Sequence, residues 1–356
     1  MGGMRGGLLD IRTIYHEPVV PMTRRGTEIL ARFPDAQRIE VPSHWNIAQL
    51  HGNAGGVRDW VRVKRETLVL GVKKDLKMRP NGRSADFIAP STSNGCAMAC
   101  AYCYVPRRKG YANPVTAFVN IDHVVKAVQQ HAARTGPKTT PNQVDADRWV
   151  YDLGENGDLS ADAYISDNVR DLVAAFRDIP NAKGSFATKH VNTDILDYDP
   201  QGGTRVRMSL MPAAIAKVVD VRTTPMSRRI AFMNDLHRAG YEVQANLSPV
   251  IVRPGWTDEW RELLERLGDE LDPAVRDSMG AEIIMLTHNA ALHEVNLGWH
   301  PRAEDLLWTP GMQEDKISEN GQHNVRYAAQ KKRIMLDRLL AIIADVAPWM
   351  RVRYAF

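Results

Sequence analysis

The sequence predicts an α/β protein built on a partial (β/α)6 TIM-type barrel with N- and C-terminal extensions, and three observations carry that expectation. From about residue 85, short apolar runs of β character alternate with longer stretches whose apolar residues recur at helical spacing. The chain has 356 residues, 44% of them apolar, which is enough for one large core with additions. No internal repeat, low-complexity tract or Pro/Gly-rich linker interrupts it. Repeated strand–helix–strand units imply a parallel sheet with right-handed crossovers, and six units give a barrel open on one side. Chemistry is expected at the carboxyl ends of its strands.

In order, the strands are expected at Asp86–Ser91, Arg148–Leu153, Gly184–Lys189, Arg205–Leu210, Glu242–Val252 and Ala281–Thr287. The helical patterns between and after them are Asp122–Thr135, Asp162–Phe176, Pro212–Val218, Pro225–Ala239 and Asp258–Leu271. Lys331–Ala344 reads as a C-terminal helix and Met350–Phe356 as a last strand or tail. This divides the chain into a basic N-terminal extension (1–84), the barrel (85–300) and a C-terminal extension (301–356). No apolar run approaches the ~18 residues of a membrane span, and the opening MGGMRGGLLDIRTIY lacks the pattern of a secretion signal. A cytoplasmic, monomeric protein is expected, without a membrane partner.

The formal net charge is +4, unevenly spread: residues 1–90 carry 15 Lys/Arg against 9 Asp/Glu. The excess is densest from Arg62 to Arg83, a stretch suited to phosphates or equally to a solvated face.

All three cysteines fall within eight residues, at Cys96, Cys100 and Cys103, after the turn-rich Ser93-Asn94-Gly95. Three cannot form an even set of disulfides, and thiolates so crowded are better read as metal ligands. Three thiolates on one loop can reach three corners of a [4Fe–4S] cube and leave the fourth iron open. The competing reading is a zinc site, which usually takes two separated ligand pairs but could be completed by one of eleven histidines.

The C-x3-C-x2-C spacing, with Tyr102 before the last cysteine, resembles the motif of the radical S-adenosylmethionine superfamily. Over most of the chain the resemblance is to the spore photoproduct lyase family. It runs in order through Lys64–Val72, Cys96–Tyr104, Thr188-Lys189-His190, Ser209, Thr224-Pro225 with Arg228-Arg229-Ile230, Gly240-Tyr241 and Ser248–Ile251 to Gly255-Trp256.

That resemblance implies a [4Fe–4S] cluster on Cys96, Cys100 and Cys103, with S-adenosylmethionine chelating the fourth iron. It implies that an electron from the reduced cluster, delivered by a flavodoxin or ferredoxin, splits the cofactor to a 5′-deoxyadenosyl radical. Lys189 would then pair with the cofactor carboxylate, Ser209 and Ser248 would add contacts, Tyr102 would pack beside the adenosyl part and Glu155 would hold the amine. A surface lysine, ordinary interior hydroxyls and a helix N-cap region are the alternatives for these positions. The family also carries a cysteine after the second strand that gives a hydrogen atom to the product radical. This chain has Glu155–Ser160 there and no fourth cysteine, so Tyr104 is the nearest phenol for that role.

The resemblance points to a damaged or modified base in DNA as substrate, flipped into the barrel mouth. Arg107 and Arg108 after the cluster loop, Arg326-Tyr327, and Lys331 and Lys332 are the expected nucleic-acid contacts, cations beside aromatics. One charged helix face is the other reading of the last group. Two further functions stay open: a radical enzyme acting on another nucleoside, peptide or metabolite, and a non-catalytic, metal-stabilised nucleic-acid-binding protein.

Overall fold

The computed structural model describes residues 7–51, 57–103, 105, 110, 112–317 and 321–356. The chain divides into two compact units, residues 1–98, 105–206 and 239–241 in the first and 99–104, 207–238 and 242–356 in the second.

The first unit contains strands β1 (Thr13–His16), β2 (Gln37–Glu40), β3 (Thr67–Gly71), β4 (Arg79–Pro80), β5 (Phe87–Ile88), β6 (Ser93–Asn94), β7 (Thr116–Phe118), β8 (Trp149–Asp152) and β9 (Ala182–Thr188). Five of them form a sheet in the order β2-β1-β3-β7-β6, parallel except for the β6–β7 pair. Its centre is β3, whose five residues TLVLG are all buried, the near-continuous apolar run expected of a parallel strand covered on both faces. Lys64–Val72, one of the family landmarks, is therefore the end of helix Val57–Glu66 followed by this strand.

A second ladder in the same unit runs β4-β5-β8-β9, parallel from β5 onward. The expected strand Asp86–Ser91 shrinks to Phe87–Ile88 because Pro90 has no N–H to continue the ladder after Ala89 N bonds Asp152 O at 2.9 Å. The expected helix Asp162–Phe176 is two pieces, Leu159–Asp162 and Asn168–Arg177. Polar side chains break it: Ser166 Oγ accepts from Asn168 N, and Asn168 Nδ2 donates to Phe118 O at 2.9 Å.

Strand β10 (Thr204–Leu210) begins in the first unit and ends in the second, which adds β11 (Glu242–Val250), β12 (Gly280–Met285), β13 (Thr287–Asn289), β14 (Gln313–Ile317), β15 (His323–Tyr327) and β16 (Arg351–Ala355). β12 lies parallel to β11 on one side and to β16 on the other. The C-terminal segment is thus a true strand, delivered by helix Ala329–Val346. The β11–β12 register shifts between Leu247 and Val250, where the Ser248–Pro249 peptide is cis.

The run expected as one strand, Ala281–Thr287, ends at Met285; Thr287 starts β13, which pairs antiparallel with β15 in a separate sheet ordered β13-β15-β14. Inside this unit Glu282, with none of its surface exposed, accepts from Arg207 Nη1 at 3.2 Å and pairs with Arg353 from β16. The other four expected helices form within two residues of their predicted limits.

Candidate functional site: the cysteine segment and its supports

The segment begins at Gly95, whose φ of +89° is one that L side chains rarely adopt. A Cβ there would also stand 2.7 Å from the carbonyl oxygens of both Asn113 and Pro114. Gly95 N donates to Asn156 O at 2.9 Å, which fastens the start of the segment to the turn after β8. Lys64 Nζ donates to Cys96 O at 2.8 Å, and Met98 N to Cys96 Sγ at 3.4 Å. Ala97 and Met98 are buried in the first unit's core with Leu68, Leu70 and Ala117. Two of the three residues between the first cysteines are therefore anchors.

In the second unit Ala99 N and Ala101 N donate to Val221 O and Val219 O at 3.0 and 2.9 Å, and Cys103 N closes a turn on Cys100 O. Asn296 Nδ2 donates to Ala101 O at 2.7 Å. The backbone beside Cys100 is held from both sides. None of the three cysteines forms a disulfide.

Tyr102 donates its hydroxyl to Asp220, and Asp220 accepts from Arg229 Nη2 at 2.9 Å. Arg229, 1% exposed, also donates to Ser209 O at 2.9 Å, Thr224 O at 2.8 Å and Thr223 Oγ1. Burial, then the Asp220 carboxylate and Cys100, push the Tyr102 phenol well above its ordinary range, so it stays protonated. Ser209 is buried in β10 and its Oγ accepts from Asn246 Nδ2 at 3.2 Å; Asn246 Oδ1 is buried with no hydrogen-bond partner among the described residues. Ser248 is half-buried in β11.

In the first unit Glu155 pairs with Arg79 and accepts from Asn156 Nδ2 at 3.0 Å. The helix cap is Asp158, not Glu155: its carboxylate accepts from Ala161 N, Thr188 Oγ1 and Lys189 N at 3.1, 2.7 and 2.9 Å. Lys189 follows the last residue of β9 and is half-buried. Asp162, against which Ser93 donates its hydroxyl, is buried with Oδ1 unpartnered among the described residues, and burial pushes its carboxyl up to about 8.

The structure brings Tyr102 and Ser209 into one network through Asp220 and Arg229, which sequence reasoning did not single out as site residues. The family landmark containing Arg229 was the available signal. Tyr104, Arg107 and Arg108 lie outside the described residues.

Tyr327 requires a correction. It is 1% exposed, its hydroxyl accepts from Val252 N at 2.8 Å and burial pushes it up to about 12, so its ring has no face open to a base. Arg326 pairs with Glu314 on the neighbouring strand, Lys331 donates to Gly311 O, and Lys332 sits over the Phe356 ring at 4.7 Å. In the basic Arg62–Arg83 stretch Lys64, Arg65 and Arg79 are engaged by Cys96 O, Asp10 and Glu155, whereas Lys74 and Lys77 are exposed.

Three thiols on one anchored segment form a donor set suited to an iron–sulfur cluster. The donor set fits a [4Fe–4S] cluster with one iron left for S-adenosylmethionine: three cysteines, none in a disulfide, with a backbone N–H already directed at Cys96 Sγ. The family model for spore photoproduct lyase matches residues 10–356, and the chain belongs to that family. It is 24% identical over 274 residues to the spore photoproduct lyase of Bacillus subtilis (strain 168), covering 76% of this chain and 77% of that one. With the spore photoproduct lyase of Geobacillus sp. (strain Y412MC61) it shares 21% over 346 residues, 96% and 98% of the two chains. A solved double mutant of spore photoproduct lyase with bound AdoMet and dinucleoside spore photoproduct superposes with a TM-score of 0.86 at 20% identity, covering 98% of this chain and 99% of that one. The likeness to the solved structure shows the fold, which is that of the spore photoproduct lyase chains.

Proposed function

We propose that this chain is a radical lyase that repairs a cross-linked thymine pair in DNA. The observation that carries the reading is the anchored Cys96–Cys103 segment within a chain that matches the spore photoproduct lyase family almost end to end. When bound, the cluster and S-adenosylmethionine supply reductive C–S cleavage and a 5′-deoxyadenosyl radical able to abstract hydrogen.

The protein's own residues bind, orient and shield. Cys96, Cys100 and Cys103 hold three irons. Tyr102, fixed by Asp220, packs against the adenosyl part; Ser209 and Ser248 supply hydroxyls, Lys189 meets the cofactor carboxylate and Glu155 its amine. Tyr104 returns the hydrogen atom to the product in place of the missing cysteine. The phenoxyl radical left on it is restored to the phenol by one further electron from the same flavodoxin or ferredoxin and a proton from solvent. Arg107 and Arg108, with Arg326, Lys331 and Lys332, meet the DNA backbone, their charges adding a salt-dependent attraction. The enzyme works as a cytoplasmic monomer and draws its electron from a flavodoxin or ferredoxin; no helix among the described residues is long and apolar enough to cross a membrane.

The test is anaerobic turnover of the reconstituted protein with dithionite, S-adenosylmethionine and dinucleoside spore photoproduct, followed by mass spectrometry. Conversion to the unlinked dinucleoside supports the proposal. Formation of 5′-deoxyadenosine with the dimer untouched would favour the second reading, a radical enzyme with another substrate. That reading is motivated by the chain's having no cysteine beyond Cys96, Cys100 and Cys103.

A further inference from the structure

A second set of metal-ligating side chains lies in the second unit. His288 is on β13, His293 is one turn into helix Ala290–Trp299, and Glu304 is in helix Pro301–Leu307. His288 Nε2 stands 3.0 and 3.1 Å from the two carboxylate oxygens of Glu304, and His293 Nδ1 stands 2.5 Å from Oε2. The three ligand atoms lie within 4.8 Å of one another.

Four features favour an ion. Glu304 is 4% exposed and His288 1%, and among the described residues the two imidazoles are the carboxylate's only ion-pair partners. An anion buried so deeply calls for a cation, and no lysine or arginine among the described residues supplies one. The donor set, two imidazoles and one carboxylate, is a zinc set that leaves one position of the tetrahedron open. Ligands at about 2.0–2.1 Å in a tetrahedron stand about 3.3 Å apart, so His288 must move about 0.3 Å and His293 about 0.8 Å away from Glu304 to admit an ion. Finally, the rings are held before any ion arrives. The Trp308 indole stacks on His293 at 4.0 Å and 10°, and Asn289 caps the helix carrying it by accepting from Leu292 N at 3.0 Å.

We propose that His288, His293 and Glu304 bind one zinc ion, apart from the cysteine ligands, with its fourth position taken by water. Asn296 gives the ion a structural role. Its Nδ2 donates both to Glu304 at 2.6 Å and to Ala101 O at 2.7 Å, so an ion that fixes Glu304 also fixes the backbone between Cys100 and Cys103.

The test uses the reconstituted holoenzyme, incubated with micromolar zinc, desalted and analysed for both metals. One zinc per chain in addition to the cluster iron is expected, and its X-ray absorption should show nitrogen and oxygen neighbours near about 2.0–2.1 Å without the sulfur shell near about 2.3 Å that cysteine ligation gives. In His293→Ala, at a side chain that is only partly buried, zinc affinity should fall at least about tenfold with iron content unchanged. If the three side chains merely hydrogen-bond one another, with His288 donating from Nε2, the holoenzyme will hold no zinc and the proposal fails. It fails equally if the zinc has sulfur neighbours or persists in His293→Ala. Should that variant not fold, the absorption spectrum of the wild type decides alone.

Discussion

Replacing Asp220 by asparagine removes the charge from a carboxylate that is completely buried at the side chain and pairs with Arg229, itself 1% exposed at the side chain. The shape is kept, so the effect is electrostatic. Breaking one partner of a buried ion pair costs about 3–5 kcal/mol because the other charge is stranded. Arg229 would retain Ser209 O, Thr224 O and Thr223 Oγ1 as neutral acceptors, which places the cost near the lower end, about 3 kcal/mol. For a unit of this size each kcal/mol lowers the melting temperature by roughly 2–4 °C, so Asp220→Asn should melt about 6–12 °C below wild type. The assay is thermal unfolding of the single variants Asp220→Asn and Arg229→Met and of the double variant. The double variant should lose much less than the two single losses combined, because no stranded charge remains. A melting point for Asp220→Asn within about 2 °C of wild type, or strict additivity in the cycle, would refute the idea that this pair braces Tyr102.

Four further outcomes are expected. Asp162 is raised by burial to about 8, so the stability it contributes is complete below its ordinary value near 3.8, declines as pH rises and is gone above about 8; between pH 5 and 8 wild type should lose up to about 1.4 kcal/mol per pH unit relative to Asp162→Asn, read from urea midpoints, and parallel profiles would remove the burial argument. Gly95→Ala forces a Cβ onto two carbonyls at φ +89° and should cut reconstituted cluster iron severalfold, whereas full iron loading would show that the turn yields easily. Cys100→Ala should abolish the cluster's visible absorbance and S-adenosylmethionine cleavage while far-ultraviolet circular dichroism stays near wild type; persistent cleavage would overturn the ligand assignment. Lys189→Ala should weaken S-adenosylmethionine binding about tenfold, measured by equilibrium dialysis, with iron content unchanged, and equal affinity would take Lys189 out of the site.

The barrel strands were legible because each is a short apolar run bounded by punctuation, and such runs survive in any tertiary context that buries them. The largest difference is the parallel sheet built on Thr13–His16, Gln37–Glu40, Thr67–Gly71 and Thr116–Phe118, for which the sequence reading offered no strands; others fell where a side chain competes with the backbone or where two sheets take successive residues. Ser166 and Asn168 divide one periodic run into two helices, and Leu286 separates strands that belong to different sheets. The hairpin β14–β15 carries a weak pattern, five polar or half-exposed residues on its first strand, and gave no strand signal.

The sequence by itself determined the chemistry available: three thiols at C-x3-C-x2-C spacing, a glycine immediately before them, no fourth cysteine, and the order of the barrel's own strands and helices from about residue 85 onward. Tertiary structure decided which charges and rings are available for function. It buried Tyr327 with its hydroxyl accepting from Val252 N, placed Lys64 on Cys96 O, set Glu282 between Arg207 and Arg353, and joined Tyr102 to Asp220 and Arg229. The reason is physical. Spacing and periodicity are properties of neighbours along the chain, whereas the burial of a side chain and the partner that satisfies its charge depend on residues tens to hundreds of positions away.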